Sequence, residues 1–206
     1  RRSTMPSPAE LLESLDPQIR AILLETGALL QGHFVLTSGL HSAFYFQAMR
    51  LLQHPKYAAL AAEAAARHFA KAQVSATFSP AVGGIVWGYA VAERLPECRA
   101  IFAERVEGRM TLRRGFEIHP GERILLTEDV TTTGGSVMEL KQIAEANGAC
   151  VVGLAAVLDR SGGAFNPGVE SFAWARMKIE TWPADALPPD LAALPATKPG
   201  SRNLKS

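Results

Sequence analysis

The 206 residues contain no uninterrupted apolar run long enough to span a membrane, so no helical membrane segment is expected. Nor is there an excess of charge, since 21 basic residues stand against 20 acidic ones for a net charge of +1. Such balance offers no broad basic face to nucleic acid, and none is expected as a partner. Cysteine is scarce. Cys98 and Cys150 show no metal-ligand spacing, and Cys150 falls in an expected buried strand, so it reads as a free core thiol rather than half of a disulfide. The five histidines include no His-Glu-x-x-His arrangement, so no protein-held metal is assigned. The opening Arg1-Arg2-Ser3-Thr4 is not followed by the apolar stretch of a signal peptide, and the chain is expected to be cytoplasmic.

What is present suits one folded unit. Apolar residues make up 48 %, enough for a substantial core. We expect a single domain over 1–206, with an N-terminal helix and hood (1–50), an α/β core (51–180) and a surface-hugging tail (181–206). Asp16-Pro17 is a cap followed by a first-turn proline, and Gly27 ends the helix they open. Residues 32–47, aromatic and β-branched around Ser38-Gly39, read as two short strands and a turn. Pro55 opens an alanine-rich helix to about Lys71. From there strand, loop and helix repeat: strand 74–78, loop 79–84, helix 85–95, strand 100–102, strand 124–127, helix 137–144, then a near-continuous apolar strand 149–158 and one more to about Ile179. Residues 104–121 look charged, with little core character. The alternation predicts an α/β fold with a mostly parallel sheet flanked by helices, whose ligands bind beyond the carboxyl ends of the strands.

One stretch carries the chemistry. Ile124-Leu125-Leu126-Thr127 delivers Glu128 and Asp129 to a strand end, and Thr131, Thr132, Thr133, Gly134, Gly135 and Ser136 follow before a helix for which Ser136 is a plausible N-cap. A helix N-terminus with free backbone N–H groups, hydroxyls and two glycines suits a phosphate. The two acids would repel that phosphate unless they face a polyol or a hydrated cation. Neither Gly-x-x-x-x-Gly-Lys nor Gly-x-Gly-x-x-Gly occurs in this stretch. An ordinary turn after a solvated strand end is the alternative.

With its apolar run, two acids, Thr-Thr-Gly and a small residue in that order, the stretch resembles the phosphoribosyl-pyrophosphate (PRPP) motif of the type I phosphoribosyltransferases. The hood narrows the resemblance. Phe34, Leu36, Ser38, Gly39, Ser42 and Tyr45 follow the Phe-x-Leu-x-Ser-Gly-x-x-Ser-x-x-Tyr pattern of the orotate phosphoribosyltransferase family. The likeness runs from the first helix to a Lys198-Pro199-Gly200-Ser201-Arg202 tail similar to that of some bacterial relatives. It implies the type I phosphoribosyltransferase fold and Mg²⁺-dependent transfer of phosphoribosyl from PRPP to orotate, giving orotidine 5′-monophosphate and pyrophosphate in UMP biosynthesis. Mg²⁺ would be held mainly through PRPP. The resemblance further implies a homodimer in which loop 104–115 completes the neighbour's site. Transfer to another base, or a PRPP-binding nucleic-acid regulator, are the rival readings.

On the residues, the resemblance implies that 131–136 grip the 5′-phosphate while Glu128 and Asp129 hold ribose hydroxyls and stabilise oxocarbenium charge. Arg160 would hold the base's carboxylate, the alternative being a local contact with Asp159. Phe44 and Tyr45 would stack on the base, with hood packing as the alternative. Gly83 and Gly84 match the loop that touches pyrophosphate, or else serve close helix–strand packing. Arg105, then Arg109, are the candidate pyrophosphate ligands in a loop shorter than in many members and lacking their histidine; an exposed charged hairpin is the alternative. Two further departures are Thr37, where many relatives carry an orotate-contacting lysine, and Gly83, where a lysine is also usual.

Overall fold

The computed structural model describes residues 7–199; Arg1–Thr4, Gly200, Ser201 and Arg202 lie outside the described residues. The chain opens with helices α1 (Pro8–Leu12) and α2 (Pro17–Thr26). Asp16 caps α2 by accepting from Gln18 N at 2.8 Å, and Gly27 closes it in the left-handed conformation at φ 59°. Strands β1 (Leu29–Val35) and β2 (His41–Phe46) form the expected antiparallel hairpin, with a bulge between Gln31 and Phe34. Next come α3 (Ala48–Leu52) and α4 (Pro55–His68), whose alanines 58, 61, 62, 65 and 66 form its buried face.

The core then alternates β3 (Ala76–Pro80), α5 (Gly83–Ala92), β4 (Arg99–Val106), β5 (Arg109–Leu112), β6 (Arg123–Thr131), α6 (Gly135–Ala146), β7 (Cys150–Asp159) and β8 (Ser171–Arg176). They build a six-stranded sheet in the order β5-β4-β3-β6-β7-β8, parallel except for β5. Strand alternation splits β6 between two cores. Leu125 packs with Trp87, Ala155 and Val157 on the face covered by α4 and α5, while Ile124 and Leu126 pack with Phe78, Leu140 and Ala144 under α6. The chain leaves β3 toward one sheet edge and β6 toward the other. Their carboxyl ends therefore flank a switch point, where such folds open a crevice.

Several expectations are corrected. Residues 104–121 are not devoid of core: β4 runs on to Val106, β5 folds back on it, and Met110, Leu112, Phe116 and Ile118 pack against the second core. The tail after Trp182 is also structured up to residue 199. It forms α7 (Pro189–Ala192), with Leu191 fully buried, and β9 (Ala196–Thr197), which adds in parallel to β1. Cys150 is exposed at the start of β7 and not in the core, whereas Cys98 is half-buried with its thiol pushed up to about 11 by burial. Ser136 lies within α6, whose N-cap is Gly134. No helix among the described residues is long and apolar enough to cross a membrane.

Candidate active site

The apolar run of β6 ends where burial gives way to a cleft of about 820 Å³. Its walls include the β6–α6 connection, the hood with Tyr45 and Phe46, Arg160 beyond β7, Arg105 from the β4–β5 hairpin, and Ile179, Thr181 and Pro199 from the chain after β8. Of the sequence-selected residues, Thr37, Tyr45, Arg105, Glu128, Asp129, Thr131, Thr132, Thr133, Gly134, Gly135, Ser136 and Arg160 all line it. Phe44, Gly83, Gly84 and Arg109 do not.

The β6–α6 connection is shaped for an anion. Gly134 sits at φ 77°, and a Cβ there would overlap the ring of Phe165, so this position needs glycine twice over. No side chain caps α6, which leaves its first N–H groups without a side-chain partner. Thr132 and Thr133 are exposed beside it, whereas Thr131 is buried with its hydroxyl 3.4 Å from Leu158 O.

The acidic pair occupies two environments. Glu128 is only 8 % exposed, and burial first, then the hydrogen bond and charge of Asp129, hold its carboxyl well above the usual carboxylate range. The Asp129 N–H opposes this by donating to Glu128 Oε1 at 3.1 Å. The Asp129 carboxylate accepts from Val130 N at 3.0 Å and lies against Gly83, where any Cβ would overlap it. Gly84 packs on Pro80, Ser79 and Thr127. Both glycines therefore serve close packing of α5 on the sheet, and Gly83 also seats Asp129. A lysine at position 83 would have to displace that carboxylate.

Arg160 is 8 % exposed and donates from Nη2 to Ser42 Oγ at 3.1 Å. Among the described residues no carboxylate pairs with it. Its neighbour Asp159 instead accepts from Ser161 Oγ at 2.6 Å and Arg176 Nε at 3.1 Å, so the local Asp159–Arg160 contact does not form. Burial lowers the Arg160 pKa, partly offset by Tyr45. Tyr45 is itself raised, by burial and then by the Asp129 charge. Phe44, expected to stack on a base, is 2 % exposed and belongs to the main core. Phe46, which was not among the residues selected from sequence, lines the cleft beside Tyr45.

Arg105 reaches the cleft wall bound to Glu139 of α6, with Nη2 to Oε1 at 2.8 Å, and Met110 N donates to the same carboxylate at 3.2 Å. That hydrogen bond to Arg105 leads the effects that lower the Glu139 pKa. Arg109 is exposed on β5, away from this cleft. Glu139 was not selected from sequence, and Ser42 entered only as part of the hood pattern, with no role toward Arg160. Their partners lie 34 and 118 residues away, beyond any local spacing signal. Among the described residues no three His, Cys, Asp or Glu side chains converge to hold a metal ion.

The phosphoribosyl transferase domain family matches residues 47–182. The chain is 46 % identical over 187 residues to the orotate phosphoribosyltransferase of Pelotomaculum thermopropionicum, covering 91 % of this chain and 98 % of that one. It is 42 % identical to the orotate phosphoribosyltransferase of Thermotoga maritima over 91 % of this chain and all (100 %) of the relative. Among solved structures it is similar to orotate phosphoribosyltransferase from Aeropyrum pernix, with a TM-score of 0.61 and 27 % identity over 77 % of this chain and 93 % of that one. On that domain match and those relatives, the chain belongs to the orotate phosphoribosyltransferase family.

Proposed function

We propose that this protein transfers the phosphoribosyl group of PRPP to N1 of orotate, giving orotidine 5′-monophosphate and pyrophosphate in the cytoplasmic synthesis of UMP. One observation carries the reading: an uncapped helix N-terminus, a carboxylate pair and a buried guanidinium without a carboxylate partner share the walls of one cleft. These groups are complementary to a phosphate, a ribose and a carboxylated base.

In this reading the 5′-phosphate sits at the start of α6 with Thr132, Thr133 and Ser136. Glu128, which burial keeps toward its protonated form, both donates to and accepts from ribose hydroxyls. Asp129 faces the anomeric carbon, where positive charge develops as the pyrophosphate bond breaks. Arg160 meets the carboxylate of orotate with paired donors. Tyr45 and Phe46 offer ring faces to the pyrimidine. Orotate N1, once deprotonated, attacks the anomeric carbon directly, so no protein nucleophile is required.

Arg105 stands at the pyrophosphate side. With Glu128 held toward its neutral form, Asp129 and Glu139 only balance Arg105 and Arg160 on the cleft wall, so most of the charge of a pyrophosphate is left to a cation brought in with the substrate. A divalent ion, Mg²⁺ in this reading, would neutralise the leaving pyrophosphate. We further propose a homodimer. Val82, at the N-cap of α5, and Val86 and Tyr89 on the helix present an exposed apolar row that supports association. Arg105 would serve its own cleft, while Arg109 on the hairpin reaches the neighbour's.

Loss of orotate absorbance on addition of PRPP and Mg²⁺ tests the assignment. Its absence in a folded preparation would overturn it, and faster turnover of uracil or a purine would reassign the base.

A further inference from the structure

We propose that Ser42 is a positioning residue for base recognition, holding the Arg160 guanidinium in the orientation that meets the base's carboxylate. The inference rests on the function proposed above.

Ser42 lies on β2 of the hood and is fully buried. Its hydroxyl is 2.8 Å from Phe44 O, to which it donates, and 3.3 Å from Glu180 O. With its one proton directed at a carbonyl, the Ser42 oxygen can only accept from Arg160 Nη2, at 3.1 Å. The Arg160 main chain is fixed separately, its N–H donating to Thr131 O at 2.9 Å beside the phosphate-binding turn. Two anchors from different elements thus fix one arginine: the sheet end sets its backbone and the hood sets its side chain.

The chemistry of the side-chain anchor matters. A carboxylate in the place of Ser42 would hold the guanidinium more tightly and would neutralise it. The ligand carboxylate would then have to displace a resident anion. A serine oxygen directs the fork through a charge-assisted hydrogen bond and leaves the positive charge available. Among the described residues no acidic group pairs with Arg160, although it is 8 % exposed. Burial of a cation without a counter-ion is unfavourable in the empty cleft and is relieved when an anionic base enters. Through Ser42, the hood contributes to base selection as well as to covering the cleft.

The test is steady-state kinetics of Ser42→Ala with each substrate varied in turn. The expected result is a rise of about tenfold in KM for orotate, the scale of one hydrogen bond to a charged group, with KM for PRPP within about twofold of wild type. Ser42→Cys keeps the size and a weak acceptor, and should give a smaller rise in the same constant. An unchanged orotate KM in folded Ser42→Ala, or equal rises for both substrates, overturns the proposal. If Ser42→Ala does not fold, Ser42→Cys decides by the same split. Wild-type inactivity with orotate would refute the functional reading itself. Wild-type turnover with an unaffected variant refutes only the role of Ser42.

Discussion

Arg105 and Glu139 face each other across the gap between the β4–β5 hairpin and α6, with Nη2 2.8 Å from Oε1. Both side chains are substantially exposed, at 43 % and 38 %, so the pair contributes at most ~1 kcal/mol. Its value lies in placement. The link holds Arg105 on the cleft wall with an acceptor that a pyrophosphate, carrying more charge, can replace. Arg105→Ala should therefore lower kcat/KM for PRPP by about 10²-fold, the scale of one charged transition-state donor, with Tm nearly unchanged. Less than a threefold effect, on the order of ~0.6 kcal/mol, would remove Arg105 from the reaction.

Glu128 makes a prediction about stability. Burial raises its folded-state pKa well above the usual carboxylate value. Between those two values the native state keeps a proton that the unfolded chain has released, so stability falls as pH rises through that window. Glu128→Gln removes the penalty. The ligand-free variant should have a higher Tm than wild type at neutral pH, the difference should shrink toward pH 4, and turnover should drop. A lower Tm for the variant at pH 7 would contradict this account of the site.

That divided role explains what could be read in the chain beforehand. The apolar run Ile124-Leu125-Leu126, and the turn residues after Asp129, are local, so β6, α6 and the turn between them were legible with their order. Asp16, Pro17 and Gly27 marked α2 for the same reason. A charged hairpin over 104–115 was the stated alternative, but its core face was not legible, because Met110, Leu112, Phe116 and Ile118 are dispersed among charges and acquire a common face only once β5 pairs with β4. The tail's two elements are short and depend on β1 for pairing. Which hood aromatic meets the cleft depended on how β2 sits against the core, and strand pattern alone did not separate Phe44 from Phe46. Arg160 was named by the family resemblance at its strand end. That a hood serine orients it could not be read, because that contact joins elements distant in the chain.

The balance of charge in the cleft predicts how metal enters. Among the described residues no cluster of three metal-ligating side chains occurs, and with Glu128 held toward its neutral form the charged lining is balanced, Asp129 and Glu139 against Arg105 and Arg160. Calorimetric titration of Mg²⁺ into the protein should show weak binding alone and strong binding with PRPP present. Chelation should abolish turnover reversibly. Tight Mg²⁺ uptake without PRPP would place the metal on protein ligands and revise the roles of Glu128 and Asp129.

Subunit mixing separates the two loop arginines. Arg105 lines the cleft of its own chain, whereas Arg109 on β5 lies away from it. Asp129→Asn should be nearly inactive, since in the proposed mechanism its carboxylate faces the developing charge. If Arg109 serves the neighbour, a heterodimer of Arg109→Ala with Asp129→Asn contains one site with Asp129 intact and the partner's Arg109 intact. The other site holds both lesions. Activity should then recover toward half of wild type. A heterodimer of Arg105→Ala with Asp129→Asn should behave differently, because in the proposed arrangement Arg105 serves the cleft it lines and each site keeps one lesion. Mixing should restore nothing there. Recovery with Arg105→Ala would show that the Arg105–Glu139 link opens and the whole hairpin crosses between subunits. Failure with Arg109→Ala, in verified heterodimers whose parents are both inactive, would confine catalysis to one subunit.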